Sequence, residues 1–98
     1  MKFARNVQFE IKTGQGGEFS RVLHAEVLPL LKKQAGFSEE LTLVNQDKGL
    51  AISVWKDRAS ADAYVKDTYP QVLAKLNPML VAAPRVDTYD VTASALAV

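Results

Sequence analysis

Apolar and polar residues alternate from the start of the chain. Phe3, Val7, Phe9 and Ile11 fall on one side of a period of two, and Ala4, Asn6, Gln8, Glu10 and Lys12 fall on the other. That pattern over residues 3–12 predicts a strand with one apolar face. Arg5 interrupts the apolar row near its start. The TGQGG stretch at 13–17 reads as a turn, because it has neither the Lys-Ser/Thr of a P-loop nor the full GxGxxG spacing. From 18 to 34 the period becomes helical, with Phe19, Leu23, Val27, Leu30 and Leu31 in one stripe. Pro29 lies inside that stripe and predicts a kink or break near 25–29. Gly36, after Lys32 and Lys33, predicts the stop.

Two β-prone runs follow, 37–45 and 50–56, around QDKG, whose Asp47 and Gly49 suit a hairpin turn. Leu50, Ile52 and Val54 share one face of the second run, and Ala51, Ser53 and Trp55 share the other. Ser60 is the expected N-cap of a second helix. Pro70 divides that helix, with one piece ending near Asp67 and the next opening at Pro70, and Asn77-Pro78 closes it. Residues 85–92, rich in Val, Thr and Tyr, predict the last strand.

The order is β-α-β-β-α-β, an α+β, ferredoxin-like arrangement with a four-stranded antiparallel sheet, in one domain spanning 1–98. Both helices must pack on the same sheet face to bury their stripes. The other face stays open, and register decides whether Trp55 with Ala51 or Leu41 with Leu43 lies on it. An open, partly apolar sheet in so small a domain predicts a homodimer, sheet against sheet. The small apolar tail at 93–98 is expected to be frayed or covered by a neighbour at that interface.

Composition then narrows the chemistry. The 98 residues are 48% hydrophobic and 23% charged, as in an ordinary globular protein. Twelve basic and eleven acidic side chains give a net charge of +1, so neither a nucleic acid nor an anionic membrane is expected as partner. No run approaches the ~18 apolar residues of a membrane span, and no targeting segment follows Met1; the expected location is cytoplasmic. Without cysteine there is no thiol nucleophile, disulfide or thiolate metal site, and one histidine cannot build a multi-histidine metal site. Much familiar metal- and thiol-dependent catalysis is therefore excluded.

Particular phrases then resemble a known family. VLPLLKKQAGF (27–37) looks like the proline-bearing helix end and Gly-Phe turn of antibiotic-biosynthesis-monooxygenase-like domains. ISVWKDRASADAYV (52–65) resembles their Trp-ended third strand and Ala-rich helix start, and TYPQVL (68–73) sits where they break the second helix. The likeness covers residues 3–92. It implies a dimeric α/β barrel with a pocket between helices and sheet in each subunit. It also implies, for oxygenase members, a cofactor-independent reaction on a small aromatic or polyketide-like substrate, deprotonated and then itself passing an electron to oxygen. The same scaffold hosts isomerases or cyclases and non-catalytic small-molecule-binding or stress-associated modules, and both remain alternatives. Haem-degrading members carry an asparagine in strand one, as at Asn6. Tyr64 and Ala74 stand where those enzymes have a second tryptophan and the haem-ligating histidine, so haem degradation is not expected.

Six residues are weighed for a site role. His24, flanking the apolar stripe of the first helix, is the one side chain with an ordinary pKa near neutrality, and the candidate catalytic base. Trp55 is either a buried anchor or a ring that stacks on a planar substrate. Asn6, disfavoured in mid-strand, either satisfies nearby backbone or orients a substrate. Tyr64 and Tyr69 bracket the helix break and either pack at the core edge or reach a pocket with their hydroxyls. Arg5 either holds an anion, pairs with Asp87 or Asp90, or extends to solvent at the strand end.

Overall fold

The structure is a computed structural model that describes residues 1–94. The elements run β1 (Phe3–Glu10), α1 (Gly16–Val22), a π-helical turn (Leu23–Val27), α2 (Leu28–Lys32), β2 (Phe37–Asn45), β3 (Lys48–Trp55), α3 (Arg58–Asp67), α4 (Tyr69–Leu76), a 3₁₀ turn (Asn77–Met79) and β4 (Arg85–Asp90). The strands form one antiparallel sheet in the order β2-β3-β1-β4, the ferredoxin-like arrangement read from the sequence. The apolar tail expected at a neighbour's surface falls mostly on 95–98, outside the described residues.

Strand pairing decides the faces. In β1, Phe3, Arg5, Val7 and Phe9 are buried, and Arg5 pairs with Ser53 and Val7 with Ala51. Ala51, Ser53 and Trp55 therefore lie under the helices, while Leu41 and Leu43 lie on the opposite, open face with Leu50 and Ile52, their partners in the pairing. The core is closed from above by Phe19, Leu23, Val27 and Leu31, then by Ala61, Tyr64, Val72 and Leu76. Phe9 meets Phe19 edge-on at 5.3 Å between ring centroids.

Proline shapes both helical layers. Pro29 lacks the N–H that would satisfy the carbonyl four residues earlier. The helix responds one turn earlier by widening: the Leu28 N–H donates to the Leu23 carbonyl, five residues back. The expected kink is thus a π-helical turn. Pro70 occupies the first turn of α4, and the Thr68 N–H still donates to the Tyr64 carbonyl at 2.9 Å, so α3 and α4 abut with a break between them.

Two local expectations are corrected. The N-cap of α3 is Asp57, not Ser60; the Asp57 carboxylate accepts from the Ser60 backbone N–H at 2.8 Å, which makes Ser60 the third helical residue. That contact holds the Asp57 carboxyl below its ordinary pKa. The hairpin turn is Gln46-Asp47, with Gln46 at φ 55°, and Gly49 is a buried β3 residue instead. A Cβ there would make ordinary van der Waals contact with Phe9 and Ile11, whose nearest atoms lie 3.5–3.7 Å away.

Candidate functional site

Arg5 (β1), Glu40 (β2) and Ser53 (β3) form one transverse row on the helix-facing side of the sheet, because Ser53 pairs with both Glu40 and Arg5. The two outer members are two strand spacings apart, about 10 Å between backbones. Above the row stand Tyr64 from α3 and Tyr69 from α4, brought together by the break at Pro70, with ring centroids 5.9 Å apart. The Arg5 guanidinium lies 4.3 Å from the Tyr69 ring centroid and 5.5 Å from that of Tyr64. These residues line a small cavity of about 30 Å³, closed by Val27, Leu31, Val72 and Leu76 among others.

The polar groups of this cavity are unusual for a core. Arg5 is only 4% exposed, and among the described residues no carboxylate lies within 4.0 Å of it. Pairing with Asp87 or Asp90 does not occur; Asp87 lies 3.6 Å from Arg85 instead. Burial pushes the Glu40 carboxyl up to about 7, opposed by the hydroxyl of Thr42, which donates to it at 3.2 Å, and by the charge of Arg5. Burial likewise raises both tyrosines above the ordinary phenol value, with Arg5 opposing. The Tyr69 hydroxyl oxygen is buried and has no hydrogen-bonded partner among the described residues.

The residues singled out in the sequence divide between four places. Tyr64 and Tyr69 reach the cavity. Trp55 lies behind it, wholly buried, stacked on Tyr64 at 4.9 Å and edge-on to Phe37 at 5.5 Å, with its indole N–H donating to Ser53 Oγ at 2.9 Å. It fixes Tyr64 and Ser53 and is not part of the cavity wall. His24 is exposed in the π-helical turn and does not line the cavity.

Asn6 faces the open side of the sheet, paired with Ile52 and Asp87. There it borders a shallow groove of about 640 Å³ together with Gln8, Glu10, Leu43, Lys48 and Arg85. Its Oδ1 is buried without a partner among the described residues. Glu40 and Ser53 were not singled out in the sequence. No local signal marked Glu40: it shares the face that Ser53 and Arg5 occupy only through the pairing of β2 with β3. Among the described residues, no cluster of three or more His, Asp or Glu side chains suited to a metal ion occurs, and no helix is long and apolar enough to cross a membrane.

No family model and no curated protein sequence matches the chain. Solved structures do. A protein of unknown function from Nitrosomonas europaea, NE2512, superposes with a TM-score of 0.85 at 23% identity, over 99% of this chain and 95% of that one. SnoaB, a cofactor-independent oxygenase from Streptomyces nogalater, gives 0.80 at 14% identity over 96% of each chain. The monooxygenase from the gene ActVA-Orf6 of Streptomyces coelicolor, in complex with the ligand Nanaomycin D, gives 0.77 at 14% identity over 98% of this chain and 92% of that one. The chain has the antibiotic-biosynthesis-monooxygenase-like fold, over essentially its whole described length.

Proposed function

We propose that the chain is a homodimeric small-molecule protein that binds an electron-rich, phenol-like aromatic compound between sheet and helices and oxygenates it without a cofactor. One observation carries this reading: a carboxyl titrating at about 7, Glu40, borders the same closed space as the buried cation Arg5 and two tyrosines. A group poised near neutrality is suited to removing a proton, and a fixed cation is suited to the oxyanion that results. Similarity of fold to SnoaB and to the ActVA-Orf6 monooxygenase supports the reaction class.

The step balances with oxygen as the only co-reactant. Glu40 takes a proton from an activated CH₂ conjugated to the phenol, and the resulting anion, its negative oxygen near Arg5, gives one electron to O₂. The radical pair joins at carbon, and the peroxide recovers the proton from Glu40 and loses water. The net change is CH₂ plus O₂ to C=O plus H₂O. A ring-sized ligand needs more than 30 Å³, so entry requires the helix layer to lift. The π-helical turn and the break at Thr68 are where it would bend.

The small cavity favours a second reading, binding without turnover. Oxygen uptake with a panel of hydroxylated anthrones and naphthols separates the two. Uptake that falls about a hundredfold or more in Glu40→Gln supports oxygenation with Glu40 as base. An equal loss in His24→Ala returns that role to His24. Ligand-induced gains in melting temperature without uptake establish the second reading, and neither effect overturns both.

A further inference from the structure

The chemistry of the inner cavity points to the charge its ligand carries. Arg5 is a guanidinium buried in the core without a carboxylate within 4.0 Å among the described residues. A buried charge left so is costly, and a guanidinium, which offers only donors, is relieved by an acceptor with negative charge. The tyrosine rings give it π-density at 4.3 and 5.5 Å, which offsets part of the cost but supplies no negative charge. The Tyr69 hydroxyl is a second donor, buried and unpartnered among the described residues. Glu40 borders the same space, and a neutral carboxyl there is a third. Donors therefore converge on a space of about 30 Å³, room for one water-sized group.

We infer that Arg5, Tyr69 and the protonated form of Glu40 make a clamp for a single anionic oxygen, so that this site takes its ligand as a monoanion: a phenolate, enolate or carboxylate on an otherwise apolar body. The inference rests on the proposed small-molecule site and names its ligand class. The apolar part of the ligand would lie against Leu23, Val27, Leu31 and Val72, which close the cavity from the helix side. Binding and protonation are then linked. With its carboxyl at about 7, Glu40 is mostly charged at pH 8, and a charged Glu40 repels the anion that Arg5 attracts. A ligand that is already ionised must bring a proton with it to Glu40.

The groups around Glu40 are consistent with this linkage. Arg5 faces it from β1, Tyr64 and Tyr69 face it from α3 and α4, and Glu39 and Thr42 flank it on β2. Arg5 and Glu39 act on Glu40 in opposite senses, the guanidinium lowering its pKa and the neighbouring acid raising it. The π-helical turn and α2 contribute apolar side chains to the cavity wall, Leu23, Val27 and Leu31.

Calorimetric titration with benzoate and its neutral isostere benzamide tests the clamp. Benzoate is expected to bind at least about tenfold tighter than benzamide, and Arg5→Gln to weaken benzoate by roughly ten- to a hundredfold while leaving benzamide unchanged. Repeating the titration at pH 8 in buffers of different ionisation enthalpy should show uptake of close to one proton per benzoate, absent in Glu40→Gln. Should Arg5→Gln fail to fold, the Glu40→Gln comparison and the benzoate–benzamide ratio on the unaltered protein still decide. Equal binding of both probes without proton uptake overturns the clamp and leaves the small-molecule site standing. If neither probe, nor any compound of the phenol panel, binds, both are overturned.

Discussion

Glu40 brings the cost of a half-buried carboxylate into the stability of the fold. Its pKa of about 7 in the folded chain compares with an ordinary value of 4.5. Between those two values the folded state holds a proton that the unfolded state has released, so raising the pH pulls the equilibrium toward unfolding. The neutral carboxyl contributes its full stability below about pH 4.5, loses it progressively, and has none of it above about pH 7. The loss is on the order of 3 kcal/mol. Glu40→Gln keeps an oxygen that can accept from the Thr42 hydroxyl and removes the titration. The variant is expected to melt at the same temperature at pH 5 and pH 8, and above the parent at pH 8. An identical fall for both proteins would show that Glu40 is solvated as readily folded as unfolded. Asp57 acts in the opposite sense and in a different window, since its lowered pKa is felt only as the pH falls toward the ordinary carboxylate range.

Elements were legible in this sequence wherever period or punctuation had a local cause. The alternation from Phe3 to Ile11, the helical stripe from Phe19 to Leu31, and the prolines at 29 and 70 each act within a few residues, and each produced the feature expected. Register was not legible, because it depends on pairing between strands far apart in sequence; only the pairing of Ser53 with both Arg5 and Glu40 makes a site of the three. His24 was attractive because its ordinary pKa is near neutrality, whereas Glu40 reaches that range only through burial, which no local pattern encodes. Gly36 belongs to the legible set and allows a sharp test. It takes φ 79° between α2 and β2, and its carbonyl accepts from the Lys56 N–H at 2.7 Å. A Cβ there would overlap the Ser60 hydroxyl and sit 2.5 Å from Ser60 Cβ. Gly36→Ala therefore combines a left-handed backbone penalty with a steric clash, and about 2–4 kcal/mol of destabilisation is expected by urea unfolding. Gly36→Ala with Ser60→Gly should recover the steric part alone. A single variant as stable as the parent would mean that the turn can rearrange freely.

At the scale of the molecule, the open sheet face is what a lone chain leaves unfinished. Leu41, Leu43 and Tyr89 are 55%, 52% and 54% exposed, and Ile52 and Leu50 lie between them on the same face. Asn6, in the middle of that face, holds a buried Oδ1 with no partner among the described residues. Apolar area and an unsatisfied acceptor on one surface call for a second surface that brings both apolar contact and a donor. A second copy related by a two-fold axis supplies the same apolar rows and the polar ends of Gln8, Arg85 and Asn6 itself, and a stable pair needs about 800 Å² from each partner. Two-fold symmetry also makes the test severe, because one substitution enters the interface twice. Leu41→Lys with Leu43→Lys would place like charges across the axis and is expected to convert a dimer to a monomer. Size-exclusion chromatography with light scattering at micromolar concentration reads the outcome. A monomeric parent rules out pairing through this face, and a dimer that survives both lysines moves the interface elsewhere. Since the Glu40 cavity lies on the other side of the sheet, the monomeric variant should still bind the inner ligand, but with a less stable fold.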